Sequence, residues 1–129
     1  MKIDTSIPGA FIAALCLSAT AHAHHSNTAY DTGRSVEWRA AVTEFKFVNP
    51  HAYVFFTMQD GSGKPVQGRC ELSARTMLAR LGWSADTFKP GEVITLKGAP
   101  GRNEANVCLL NSFTRANGAV IGTRQPLSQ

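Results

Sequence analysis

The sequence lacks the patterns that identify most enzymes and nucleic-acid-binding proteins. Its 13 Lys and Arg residues are scattered along 129 residues, and no run of them forms a basic stripe. The serines have no partner pattern typical of a nucleophile triad, nothing selects two carboxylates as an acid and a base, and no glycine-rich phosphate loop occurs. We therefore expect a protein that is not an enzyme and has no nucleic-acid partner.

Long apolar runs are also scarce, and the clearest one lies at the N-terminus. Lys2 precedes an apolar stretch at residues 7–17, and the small-residue motif Ala21, His22, Ala23 follows. This pattern predicts a signal peptide over residues 1–23, because the run is shorter than the ~20 residues of a membrane span. A retained anchor is the alternative. We expect an exported, periplasmic protein with no stable membrane span.

Cysteine is rare, with three residues in the chain. Cys16 belongs to the leader, so cleavage leaves Cys70 and Cys108. In an oxidising compartment these two are expected to form a disulfide. Closing a loop of about 39 residues would contribute at most about 3.8 kcal/mol in the chain-entropy model. The alternative is a pair of soft metal ligands, but neither cysteine has a second Cys or a His at ligand spacing.

The remaining chain alternates apolar and polar residues in short segments separated by turn signals. Between Val42 and Phe45 the alternation slips by one residue, which predicts a β-bulge. Ser73 is expected to cap a helix, and Gly82 to end it. The predicted elements are strands at 35–47, 51–58, 65–72, 93–98, 107–115 and 119–123, and a helix at 74–81.

This order of elements predicts an all-β fold with one short helix. Three strands, a helix and two further strands are the order of the OB-fold, a five-stranded Greek-key barrel, and a short sixth strand extends it. The predicted organisation is an N-terminal arm at 24–34, an OB-like barrel at 35–123 and a flexible tail at 124–129. A β-sandwich with a short helix is the alternative.

Histidines beside the predicted cleavage site suggest a metal site. Cleavage after Ala23 would make His24 the first residue, with an amine and an imidazole that together chelate one ion. His25 or His51 would add a third nitrogen, and a nitrogen-rich set favours Cu(II). Cleavage after Ala21 would instead place His24 third from the new N-terminus, and a histidine in that position also binds Cu(II). Alternatively, the arm histidines are solvated and His51 orients a turn.

The second predicted strand offers another candidate site. Asn49 and Pro50 form a turn, after which His51, Tyr53 and Phe55 share one strand face. In OB-folds this face of the second and third strands is the usual ligand surface, so these residues are candidates to bind a small ligand or an envelope protein without metal. Alternatively, the two rings pack under the N-terminal arm, which would bring His24 or His25 near His51.

Several motifs together resemble a known protein family. They are His24, His25 and Ser26 after the leader, Asn49, Pro50 and His51, and the LARLGW segment at 78–83. They resemble a family of small exported bacterial proteins catalogued as a domain of unknown function, over about residues 24–122. The resemblance implies a periplasmic location and a small β-barrel, and it implies no activity.

Overall fold

The described residues fold into six β-strands, and one short helix lies between the third and fourth strands. The computed structural model describes residues 29–124 and residue 127. Its elements are β1 (Val36–Lys46), β2 (Tyr53–Gln59), β3 (Pro65–Glu71), α1 (Arg75–Arg80), β4 (Val93–Pro100), β5 (Val107–Thr114) and β6 (Val120–Gly122). The predicted order of three strands, a helix and further strands is confirmed.

A parallel contact between β3 and β5 closes the sheet into a barrel. β1 pairs antiparallel with both β2 and β4, while β2 pairs with β3 and β4 pairs with β5. The closing pairs are Arg69 with Val107, Cys70 with Cys108, and Glu71 with Leu109. β6 extends the sheet beyond β5. This closed five-stranded barrel with an extra strand has the predicted OB-type order, and the sandwich alternative is wrong.

The first strand bends where its alternation slips. The register of β1 against β2 shifts between Val42 and Glu44, which confirms the predicted bulge. The first half of β1 pairs with β4, and its second half pairs with β2. The bend lets one strand serve both sides of the barrel.

The core is built from alternate residues of the strands and is closed by aromatic rings. In β2 the inward set is confirmed, since Val54, Phe56 and Met58 are buried. Trp83 and Phe113 pack edge-to-face at 5.7 Å between ring centroids. Such aromatic pairs stabilise a core beyond the area that they bury.

The helix begins at a contact with the β1–β2 connection. Asn49 Oδ1 accepts a hydrogen bond from the Thr76 N–H at 3.3 Å, and the Val48 carbonyl accepts one from the Arg75 N–H at 3.1 Å. These bonds satisfy N–H groups that a helix start leaves without intrahelical partners. Asn49 therefore connects the start of α1 to the segment that leads into β2.

The predicted helix start is wrong, and the predicted end is confirmed. Ala74, rather than Ser73, occupies the N-cap position, and it makes no side-chain cap bond. Asn49 satisfies the helix start from a distant segment, which a local pattern does not reveal. Gly82 has a φ of +87°, and the Trp83 N–H bonds the Leu78 carbonyl at 3.1 Å. This is the left-handed helix ending that glycine favours.

The predicted disulfide between Cys70 and Cys108 crosses the seam that closes the barrel. The two residues are register partners, both are fully buried, and their Cα atoms are 4.4 Å apart. Gly98 lies against the bond, because a Cβ at that position would come 2.8 Å from Cys108 Sγ. The disulfide thus joins β3 to β5 where these strands also hydrogen-bond.

Some predictions fall outside the described residues. These are the signal peptide at 1–23, the ligands His24 and His25, and most of the tail. In the tail, the Leu127 N–H bonds the Leu81 carbonyl at 2.8 Å. Within the described chain, no helix has the length and apolar character needed to cross a membrane.

Replacing both cysteines tests how strongly the seam depends on the covalent bond. We expect Cys70→Ala/Cys108→Ala to lower the free energy of unfolding by about 2–5 kcal/mol, because the unfolded chain gains the entropy of an open loop. Urea denaturation followed by fluorescence measures the change. Reduced wild-type protein should show the same loss, and equal stability of all three forms would contradict the expectation.

Candidate functional site

A largely buried carboxylate on the outer face of the barrel joins two distant residues. The Glu71 side chain is 12% exposed, and its Oε1 lies 3.0 Å from His51 Nδ1. Its Oε2 accepts a hydrogen bond from the Tyr30 hydroxyl at 2.7 Å. Tyr30, His51 and Glu71 are called the Glu71 cluster below.

The β2–β3 hairpin brings His51 to Glu71. Tyr53 pairs directly with Glu71 across the two strands, and His51 lies two residues before Tyr53 on the same side. The strand pairing continues before the first residue of β2. The Ala52 N–H donates to the Ser73 carbonyl, and the Ala52 carbonyl accepts from the Leu72 N–H. The backbone ladder therefore sets the distance between the imidazole and the carboxylate.

Tyr30 fixes the end of the N-terminal arm to the barrel. Tyr30 is 6% exposed, pairs with Gly101 in an isolated bridge, and packs on Ala99 and Val107. Backbone hydrogen bonds on either side, from Asp31 to Pro100 and from Arg102 to Ala29, hold the same segment. The first described residues are therefore fixed to the β4–β5 connection, from which the Tyr30 side chain reaches Glu71.

The Glu71 carboxylate lies beside one ring nitrogen of His51. Because a carboxylate only accepts hydrogen bonds, its position 3.0 Å from Nδ1 favours a proton on that nitrogen. In the tautomer that carries this proton on Nδ1, Nε2 holds the lone pair. Within residues 29–124, Nε2 has no hydrogen-bond partner, and the His51 side chain is 41% exposed. Metal-binding histidines are commonly oriented in this way by a carboxylate.

The two phenols beside Glu71 are held in their neutral form. Burial, together with the hydrogen bond to Glu71, raises the pKa of Tyr30 well above its usual range. Burial and the nearby Glu71 charge also raise the pKa of Tyr53. Tyr30 therefore remains a hydrogen-bond donor to the carboxylate throughout the neutral range.

The predicted strand face exists, and it carries three of the sequence candidates. His51, Tyr53 and Phe55 alternate with the buried residues of β2 and are themselves half-buried. The rings of Tyr53 and Phe55 lie 6.3 Å apart, and Lys46 Nζ sits 4.9 Å from the Phe55 ring centroid. Asn49 makes its described side-chain contact at the helix instead.

Sequence reasoning did not select Glu71 or Tyr30. The turn at Asp60 and Gly63 sets the hairpin register, and counting back from it pairs Tyr53 with Glu71. That signal could have placed Glu71 beside His51. No local sequence signal identifies Tyr30, because its hydroxyl contacts Glu71, which lies 41 residues further along the chain.

The described residues do not complete a metal site by themselves. No group of three His, Cys, Asp or Glu side chains converges within residues 29–124. His51 offers one nitrogen, and Glu71 orients it. The other predicted ligands, His24 and His25, lie outside the described residues, so their approach to His51 stays a prediction.

The fold and the site define a small closed barrel of the OB type with a Tyr–Glu–His cluster on its outer face. The chain belongs to the family described as "Family of unknown function (DUF6152)", whose model matches residues 13–110. The resemblance to a family of unknown function is thereby confirmed. A comparison with curated proteins finds no match.

Two solved structures show a limited similarity to this chain. One is the crystal structure of the ZRD-deleted mutant of TiaS in complex with agmatine, with 15% identity and a TM-score of 0.47 over 72% of this chain and 27% of that one. The other is a tRNA fluorescent labeling enzyme, with 17% identity and a TM-score of 0.44 over 69% and 19%. The chain thus spans less than a third of either protein.

Removing the Tyr30 hydroxyl tests its role as an anchor. We expect Tyr30→Phe to lower the free energy of unfolding by about 1–3 kcal/mol, because the buried carboxylate loses a donor. Tyr53→Phe is the matched control, since the Tyr53 hydroxyl has no hydrogen bond among the described residues. Urea denaturation of both variants measures the difference, and equal losses would contradict the assignment.

The raised pKa of Tyr30 also predicts that the loss of stability in Tyr30→Phe depends on pH. The pKa of Tyr30 is higher in the folded protein than in the unfolded chain, so its neutral form stabilises the fold. This contribution is fully present below the unfolded value of about 10 and is lost as the pH rises above it. The stability advantage of wild type over Tyr30→Phe should therefore stay constant from about pH 7 to 9 and shrink above about pH 10. An advantage that grows above that pH would contradict the assignment.

Proposed function

We propose that the protein is an exported periplasmic copper-binding protein whose ligands are His24, His51 and His25. The observation that carries the proposal is the contact between Glu71 and His51 Nδ1 at 3.0 Å, which leaves Nε2 to bind a metal. The leader pattern supports export, and the Cys70–Cys108 disulfide is compatible with an oxidising compartment.

The position of Tyr30 supports the proposed ligand set. A chain advances at most about 3.3–3.6 Å per residue, so His25 lies within about 18 Å of Tyr30 and His24 within about 22 Å. The Tyr30 hydroxyl and the His51 imidazole bind the same carboxylate. Both arm histidines therefore have enough chain to reach Nε2 of His51.

The donor chemistry favours copper over other divalent ions. After cleavage at Ala23, His24 supplies an amine and an imidazole, and His51 supplies a third nitrogen. Nitrogen-rich sites bind Cu(II) most tightly in the first-row series. Glu71 would act as a positioning residue, because a carboxylate that holds the other ring nitrogen fixes the direction of the ligand.

Copper titration of the mature protein tests the proposal. Mass spectrometry first establishes the N-terminal residue, and calorimetry then measures Cu(II) affinity. We expect acetylation of the N-terminal amine, which removes it as a ligand, and His51→Ala each to weaken binding at least about tenfold. Glu71→Gln should weaken it about 10–100-fold, the usual cost of losing a ligand's outer partner.

Controls separate a defined site from adventitious binding. Phe55→Leu changes the same strand face without touching a proposed ligand, and it should leave the copper affinity unchanged. Electron paramagnetic resonance should report nitrogen ligands in wild type and fewer of them in His51→Ala. Unchanged affinity of the acetylated protein, or an N-terminus at neither His22 nor His24, would overturn the proposal.

A second candidate function uses the same face without metal. Tyr53 and Phe55 are half-buried rings 6.3 Å apart on the surface that OB-folds commonly use for ligands. A small ligand or a loop of an envelope protein would stack on them.

Ring stacking on this face is testable by nuclear magnetic resonance. Titration with cellobiose or adenosine should shift signals of β2 and β3, and Tyr53→Ala/Phe55→Ala should abolish the shifts, because stacking contributes about 1–3 kcal/mol per ring. Met77→Ala, on the exposed face of α1, is the matched control. Shifts that persist in the double variant would exclude this face.

A further inference from the structure

We propose that Arg69 and the cleft beside Phe55 form a binding site for a small ligand with an oxyanion on a planar ring, and that Glu104 occupies the oxyanion position when the ligand is absent. The inference rests on the second candidate function, to which it gives a ligand chemistry. It requires no copper and uses two charged residues outside the Glu71 cluster.

Arg69 and Glu104 already form the contact that such a ligand would make. Arg69 Nη1 and Nη2 each lie 2.9 Å from one oxygen of the Glu104 carboxylate. This parallel pair of hydrogen bonds is the geometry by which arginine recognises carboxylates and phosphates. By contrast, Arg102 Nη2 lies 3.6 Å from Asp31 Oδ1, a longer ion-pair contact.

A cleft adjoins this ion pair. It has a volume of about 200 Å³, with Phe55, Gln67 and Arg69 on one side and Glu104 and Asn106 on the other. Phe55 and Arg69 are direct register partners, so their side chains leave neighbouring positions on one face of the sheet. Lys46 Nζ, 4.9 Å from the Phe55 ring centroid, places a second positive charge beside this ring. The volume corresponds to roughly seven waters, which suits one ring and its acid group.

Glu104 can leave Arg69 without unfolding its loop. The side chains of Arg69 and Glu104 are 39% and 57% exposed, and exposed ion pairs contribute little to stability. The backbone holds the β4–β5 connection independently, because the Arg69 N–H bonds the Asn106 carbonyl at 3.0 Å and the Gly101 N–H bonds the Val107 carbonyl at 2.9 Å. A ligand oxyanion therefore competes with one exposed side chain only.

Arg115 forms the other short arginine–carboxylate contact among the described residues, and it has a structural role. It contacts Glu92 and also donates to the Thr87 carbonyl at 2.7 Å. That second bond ties β5 to the segment before β4. The guanidinium of Arg69 has no such backbone partner in residues 29–124, which leaves both of its parallel donors available for exchange.

Titration with benzoate and phenyl phosphate, in the absence of copper, tests the site. Nuclear magnetic resonance should locate the shifts at Phe55, Arg69 and the 104–107 segment. We expect Glu104→Gln to tighten binding about two- to fivefold, because the ligand no longer displaces a carboxylate. Arg69→Gln should weaken it roughly tenfold or more, and Arg69→Lys should also weaken it, since lysine lacks the planar fork.

Matched variants distinguish the site from a general charge effect. Asp31→Asn removes one negative charge from the Arg102 pair, and it should leave the affinity unchanged. His51→Ala should leave it unchanged as well, so a failure of copper binding and a failure of anion binding are separate results. Equal tightening by Asp31→Asn and Glu104→Gln, or full binding by a folded Arg69→Gln variant, would overturn the inference.

Discussion

The parallel pairing of β3 with β5 is the constraint on which the rest of the structure depends. It involves three consecutive residues, Arg69, Cys70 and Glu71, and it closes the barrel. Because neighbours on a strand point to opposite faces, Cys70 reaches the core disulfide while Arg69 and Glu71 face outward. A shift of one residue at this seam would exchange these roles, so the closure and both candidate sites require the same register.

The N-terminal arm depends on this seam through one side chain. Tyr30 packs on residues of β4 and β5, and its hydroxyl ends at Glu71 on β3. Its contacts therefore span the closure, and they bring the start of the described chain to His51. Export, if it frees His24 as proposed, would place the new amine a few residues from this anchor. In the copper proposal, cleavage of the leader supplies the amine of His24, and Glu71 orients the imidazole of His51.

Local pattern predicted most of the barrel but only part of the candidate sites. The alternation in β2, the bulge after Val42 and the turn at Gly82 each follow from neighbouring residues, and the structure confirms them. Contacts between distant segments were missed, because no local pattern encodes them. Asn49 at the helix start and Tyr30 on Glu71 are both of this kind.

The outer face of β3 places opposite charges close together, and this bears on how the two sites can coexist. Arg69 and Glu71 are two residues apart on one face, a separation of about 7 Å along the strand. An unpaired arginine at that distance would oppose a cation beside His51. Glu104 compensates the arginine, and so would a bound oxyanion. Exchange of one for the other keeps the local charge nearly constant, so an anion at Arg69 and a metal at His51 are electrostatically compatible.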